Sequence, residues 1–198
     1  MASGRNLQWH ASKPYMGKQD ECLTDKHVEF IKAQRMFFVG TAAGTGRVNV
    51  SPKGMDSFLV INAKRVVWLN VTGSGNETSA HVQQNERMTM MFCAFDGPPI
   101  ILRLYGSAKV IHQNDIDWAN LFPLLNPLPG ARQIFDLSIE MVQTSCGMGV
   151  PYYDYKSDRE LLNDWARKRS EKEIKQYWLE KNQLSIDAIA THIAEKNT

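Results

Sequence analysis

The most constraining stretch of this chain is residues 65–84, RVVWLNVTGSGNETSAHVQQ, where an apolar run, a glycine-rich corner and a polar helical start follow one another without a gap. Val66, Val67, Trp68, Leu69 and Val71 suit a strand, because β-branched and aromatic side chains pack well on a pleated surface. Gly73 and Gly75 end that strand by permitting backbone angles that a Cβ forbids. Asn76, Thr78 and Ser79 are cap-type residues, so a helix starting beside them turns unpaired N–H groups and hydroxyls toward the corner. Such a corner attracts an anion, for example a phosphate ester. The same residues also read as an ordinary capped helix after a loop, since isolated glycine-rich matches are unspecific.

Residues 1–23 mix glycine, proline, charge and single aromatics without a period and read as an N-terminal arm. Thr24 caps a short amphipathic helix over residues 24–35, with Val28 and Ile31 on successive turns. MFFVGTA at 36–42 and RVNVSPKG at 47–54 make a hairpin across a glycine-rich link. In the second strand Val48 and Val50 share one face and Asn49 and Ser51 the other, Pro52 stops the ladder, and Lys53 stands at its end. The glycines at 40, 44 and 46 precede a strand rather than a helix, which excludes a dinucleotide loop. Further strands are expected over 58–61, 66–71, 88–95, 100–112 and 133–146, with short helices at 78–84 and around Trp118.

Six or seven strands separated by close turns predict a mainly β (α+β) fold with peripheral helices, an antiparallel barrel that is closed or partly open, over residues 24–150. Residues 151–198 predict a helical extension. Between 156 and 181 eight basic and six acidic side chains surround Leu161, Trp165, Ile174 and Trp178. That is a solvated face with an apolar stripe, expected to pack on the barrel or on a second subunit.

Charge and cysteine content narrow the partners. With 23 basic and 21 acidic side chains the net charge is +2, too even for nucleic acid or an anionic membrane to be the main partner. No apolar run reaches the roughly 18 residues that cross a bilayer, and none near the start resembles a secretory signal. Cys22, Cys93 and Cys146 are odd in number and far apart, giving neither a disulfide framework nor a CxxC pair. A soluble protein of the reducing cytoplasm is expected.

No catalytic constellation emerges. The histidines at 10, 27, 81, 112 and 192 lack ligand spacing, so no metal site is expected. Cys146 has no assignable partner histidine, and an inert thiol is the simpler reading. Met88, Met90 and Met91 read as core filler.

The order RVNVSPKG, then VVWLNVTGSGNETSAHVQQNERMTMMF, then PPIILRLYGSAKVI resembles the pyridoxamine 5′-phosphate oxidase-like family of FMN-binding split barrels. VQTSCGMGVPYYDY with its charged tail is similar to a bacterial branch of that family distinct from the true oxidases. The resemblance implies an antiparallel split β-barrel and a homodimer with two FMN sites at the subunit interface. It implies that Arg47, Val48, Asn49, Val50, Ser51 and Lys53 line the flavin and its phosphate, the lysine falling one residue later than in the true oxidases. Leu69 and Asn70 match the strand along the flavin, and Asn76, Thr78 and Ser79 supply hydrogen bonds near the phosphate. Glu77 and Thr78 replace the family's Arg-Lys phosphate pair, leaving Lys53 or Arg47 to carry the charge. Ile101 replaces a glutamine that faces the ring, and the arginine and histidine substrate motif has no match, which argues against oxidation of pyridoxamine phosphate. The implied function is an FMN-dependent oxidoreductase acting on a small-molecule substrate or an electron donor such as a reduced nicotinamide. Its rivals are a non-catalytic flavin, deazaflavin or haem carrier or sensor, and a cofactor-free dimeric scaffold.

Overall fold

The run VVWL is buried on both faces, and the architecture follows from that. In β5 (Arg65–Val71) Val66 and Trp68 turn into one apolar cluster while Val67 and Leu69 turn into another. A strand covered on both sides reads as a continuous apolar run rather than an alternating one. The structure, a computed structural model, describes residues 17–197, so residues 1–16 of the expected arm lie outside the described residues.

The described residues form one antiparallel sheet. Besides β5 it comprises β1 (Gln19–Asp20), β2 (Phe37–Thr41), β3 (Asn49–Lys53), β4 (Phe58–Asn62), β6 (Arg87–Cys93), β7 (Ile100–His112) and β8 (Ala131–Cys146). Its order is β3-β2-β6-β7-β8-β5-β4, with β1 paired to β8. The terminal strands β3 and β4 do not pair with each other, so the sheet is a split barrel, mainly β with helices at its periphery. Strands β7 and β8 form the long seam. Their register shifts between Tyr105 and Gly106, where a Cβ on Gly106 would stand 1.9 Å from the Ser138 carbonyl oxygen. Only glycine allows that approach.

Phe37, Val39, Trp68, Met90, Leu104 and Phe135 fill the barrel. Outside it, α3 (Ile116–Leu121) and the 3-10 turn Phe122–Leu124 cover Val67, Leu69 and Ile134. Helix α1 (Asp25–Ala33) starts at Thr24, whose hydroxyl accepts the His27 N–H while the His27 ring accepts the Thr24 N–H. Helix α2 (Glu77–Gln84) follows the glycine corner.

Three sequence expectations change. Pro52 does not stop the ladder: it pairs with Phe38 and the ladder runs on to Lys53. Strand β3 is an edge, where proline is tolerated because one side has no ladder to lose. The expected helical run from 156 begins later, since residues 151–160 carry no helix or strand and helices α4 (Leu161–Arg167), α5 (Glu171–Lys181) and α6 (Ile193–Asn197) follow. The last strand starts at Ala131, two residues earlier, because it pairs with Val71.

Candidate cofactor site

At the glycine corner two cations meet. Lys53 ends β3, and Arg132, the second residue of β8, comes up beside it through the pairing of β8 with β5. They line a polar recess of about 40 Å3 shared with Asn49, Ser51, Asn70, Thr78 and Ser79. The recess adjoins a cavity of about 190 Å3 that also touches Lys53, Asn70, Gly75 and Arg132, as well as Leu69 and Leu162.

Arg132 is buried, and its guanidinium is held by the corner's carbonyls. Nη1 donates to the Gly73 oxygen at 3.1 Å and to Asn76 Oδ1 at 3.4 Å, and Nη2 donates to the Gly75 oxygen at 2.8 Å. Its Nε–H is buried without a partner, as is the Ser51 hydroxyl. Burial lowers Arg132 to about 10, offset in part by Tyr177 and Glu77. Burial, then the neighbouring Arg132 charge, pushes Lys53 down to about 8, against a small opposing effect of Glu77. A cation that is costly to keep charged is one that an anion stabilises.

The corner's N–H groups are not presented as the sequence suggested. Glu77 turns back on its own helix start: Oε2 accepts the Asn76 N–H at 3.0 Å and Oε1 accepts the Ile186 N–H at 3.2 Å. A carboxylate is thus already seated where helix geometry favours an anion. The Asn76 side chain makes no cap bond and instead donates to the carbonyls of Ser74, Lys181 and Leu184. Thr78 Oγ1 accepts from Asn49 Nδ2 at 3.1 Å, and Ser79 Oγ accepts from Gln133 Nε2 at 2.9 Å. Asn70 Nδ2 lies 3.4 Å from Gln133 Oε1.

Of the residues implied by resemblance, Asn49, Ser51, Lys53, Asn70, Thr78 and Ser79 come together around the recess. Arg47 does not, since its side chain is ion-paired with Asp187 and its N–H donates to Asp187 Oδ2 at 2.8 Å. Val48 and Val50 face outward and are 73% and 66% exposed. Leu69 packs in the outer apolar cluster and shows the cavity only an edge. Arg132 was missed, because a lone arginine after NPLPGA carries no local signature and reaches the corner only through strand register.

The C-terminal helices close the corner from behind. Trp178 Nε1 donates to Thr72 Oγ1 at 2.8 Å, Asn182 Nδ2 to the Gly73 oxygen at 2.9 Å, and Asn197 Nδ2 to the Arg132 oxygen at 2.7 Å. Among the described residues no group of three or more histidine, cysteine, aspartate or glutamate side chains is arranged to hold a metal, and no helix is long and apolar enough to cross a membrane.

A split barrel with paired cations at a strand–corner–helix junction defines a class, and comparison places the chain within it. The sequence profile of the pyridoxamine 5′-phosphate oxidase family matches residues 23–146, from just before α1 to the end of β8. The chain belongs to that family. It is 42% identical over 145 residues to the pyridoxamine 5′-phosphate oxidase family protein ustO of Aspergillus flavus, covering 71% of this chain and 58% of that protein. The chain therefore spans well under two thirds of that relative's length. Among solved structures, a candidate pyridoxamine 5′-phosphate oxidase of Lactobacillus delbrueckii matches with a TM-score of 0.50 at 21% identity, covering 64% of this chain and 98% of the other. That likeness establishes the shared fold.

Proposed function

We propose that the chain is an FMN-dependent oxidoreductase whose flavin phosphate sits against Lys53 and Arg132. The observation that carries this reading is the pair of cations around one recess, with the Lys53 ammonium in no ion pair or hydrogen bond among the described residues. The two positive charges outweigh the single carboxylate of Glu77, whose oxygens are turned to backbone N–H groups. The buried, unpartnered Ser51 hydroxyl and Arg132 Nε–H add two unused hydrogen-bonding groups in the same region. These residues suit a phosphate: Lys53 as a point charge, Ser51 and Thr78 as hydroxyl partners, and Arg132 as a fixed cation.

The adjoining cavities, about 190 and about 40 Å3, fall short of the roughly 300 Å3 at which small-molecule pockets begin. One protomer accommodates the phosphate end, and a second copy laid along β3 is needed to enclose a ring. When bound, FMN supplies hydride and electron transfer. The chain's residues hold its charged end, orient it along β3 and β5, and keep water from the corner through the C-terminal helices. No side chain is assigned as acid or base. Ile101, facing Cys93 and Ser145 across the sheet, leaves the pyridoxamine phosphate reaction without the family's usual groups.

One observation favours a cofactor-free scaffold, namely the Glu77 carboxylate seated at the start of α2. Titration of the full chain with FMN decides between them. Bound oxidised flavin absorbs near about 375 and 450 nm, and a ligand selective for the native state must raise its melting temperature. The expected result is a melting temperature that rises with FMN, and an affinity at least tenfold weaker in Lys53→Ala. An unchanged melting temperature at saturating FMN overturns the reading.

A further inference from the structure

A second cavity, larger than the cation recess, lies elsewhere on the barrel. It encloses about 540 Å3 between α1, the start of β2 and β4. That volume is typical of small-molecule pockets, which run from about 300 to 1,000 Å3. Its floor is aromatic. All three of Phe37, Phe58 and Phe92 line the cavity, with ring centroids 5.0, 5.2 and 5.5 Å apart; half-buried Phe58 presents its ring to the space, backed by the buried Phe37 and Phe92. Its rim carries both signs of charge: Lys32 and Arg35 from the end of α1 and just beyond, Asp56 from the turn between β3 and β4, and Asp158 from the segment before α4.

The mouth is held in place. The Arg35 guanidinium lies over the Tyr155 ring, 5.0 Å from its centroid, and burial and then the nearby Asp158 carboxylate push the Tyr155 phenol up. Although residues 151–160 carry no helix or strand, they are tethered there. The Tyr153 N–H donates to the Phe95 oxygen at 3.0 Å, and the two rings pack 5.5 Å apart. Cation, ring and carboxylate therefore stand in series at one side of the opening.

A purely apolar occupant would leave the four exposed rim charges unused, and an occupant of one sign would meet two like charges. A zwitterion with a flat apolar side chain matches both the floor and the rim. We propose that this cavity binds a free aromatic α-amino acid, its carboxylate toward Lys32 and Arg35, its ammonium toward Asp56 and Asp158, and its ring on the phenylalanine floor. Gly54 and Ser57 line this cavity and the 190 Å3 cavity beside Lys53 alike, so the two are neighbours. The site does not depend on flavin binding.

Isothermal titration of the full chain with L-phenylalanine, L-tryptophan, 3-phenylpropanoate and 2-phenylethylamine tests this. The expected result is one molecule of either amino acid per chain, with each singly charged analogue at least tenfold weaker. Lys32→Ala and Asp56→Asn alter exposed side chains, and asparagine keeps the left-handed backbone at position 56, where φ is 51°. Each is expected to weaken L-phenylalanine at least fivefold. Val28→Trp, which fills the cavity from α1, abolishes binding while circular dichroism reports an intact fold. Equal binding of amino acids and singly charged analogues, unchanged affinity in both charge variants, or no heat from any compound at 10 mM overturns the proposal. FMN retention, read by absorption in the same variants, separates this site from the flavin reading, which can fail without altering any of these outcomes.

Discussion

Lys53 and His112 show how burial sets the pH response. Lys53 is lowered from 10.5 to about 8, first by burial and then by Arg132. Between those values the unfolded chain holds a proton that the folded chain lacks, so the stability of the ligand-free protein rises with pH across that window. Anion binding has the opposite trend, because a bound phosphate favours charged Lys53. FMN affinity is expected to be flat near pH 7 and to weaken by up to tenfold per unit above about pH 8, a slope that Lys53→Ala removes in titrations at pH 7, 8 and 9. His112 is fully buried, its Nδ1 is 3.0 Å from Asn197 Oδ1, and its Nε2 has no partner. Burial, against the raising effect of the Asn197 hydrogen bond, brings it from 6.5 down to about 4. Its folded value is the lower one, so stability is intact above pH 6.5 and falls as the unfolded state takes up a proton. By pH 4 that difference is worth about 3 kcal/mol. Denaturant titration of His112→Asn at pH 7 and pH 4.5 is expected to show a smaller loss than in the parent protein.

At the scale of elements, the C-terminal helices act as the back wall of the glycine corner. Trp178 anchors them: its indole N–H reaches Thr72 Oγ1, which itself donates to the Gly130 oxygen at 2.8 Å. Trp178→Phe deletes one buried hydrogen bond and empties part of the space the indole fills, for an expected loss of at least about 1 kcal/mol. In a chain of this size that lowers the melting temperature by at least about 2–4 °C. Removing residues 182–198 has a larger consequence. It takes away Asn182 from Gly73, Leu184 from Asn76, Ile186 from Glu77 and Asn197 from the Arg132 carbonyl. Differential scanning fluorimetry of the truncated chain is expected to show a lower melting temperature and no rise on adding FMN, because Arg132 is no longer fixed from behind.

For the whole molecule, the exposed edge of the barrel is the feature that a single chain leaves unsettled. Strand β3 ends the sheet, and Val50 within it and Val48 just before it are exposed to solvent. Edge strands that remain monomeric usually carry charge or are covered, and the recess beside this one is too small to enclose a ring. A homodimer closing over β3 meets both needs. Light scattering is expected to give the mass of two chains, and Val48→Lys with Val50→Lys to give the mass of one, together with weaker FMN retention. A monomeric parent protein that retains FMN would remove the second copy from the site.

Local chemistry determined much of this protein. The hairpins, the Thr24 cap, the glycine corner and the strand runs are legible because each depends on neighbours a few residues away in the chain. The motif order was also enough to place the chain in its family, and Lys53, Ser51, Asn70, Thr78 and Ser79 could be nominated from it. Tertiary structure decided the rest. Whether VVWL is buried on one face or two depends on α3 and the barrel interior, which sequence periodicity does not encode. Arg132 becomes the second cation only because β8 pairs with β5 in one register, and Arg47 leaves the recess because Asp187, 140 residues away, captures it. Glu77 and Asn76 spend their hydrogen bonds on the returning C-terminal segment for the same reason: long-range contacts, not local propensity, set which polar groups stay available to a ligand.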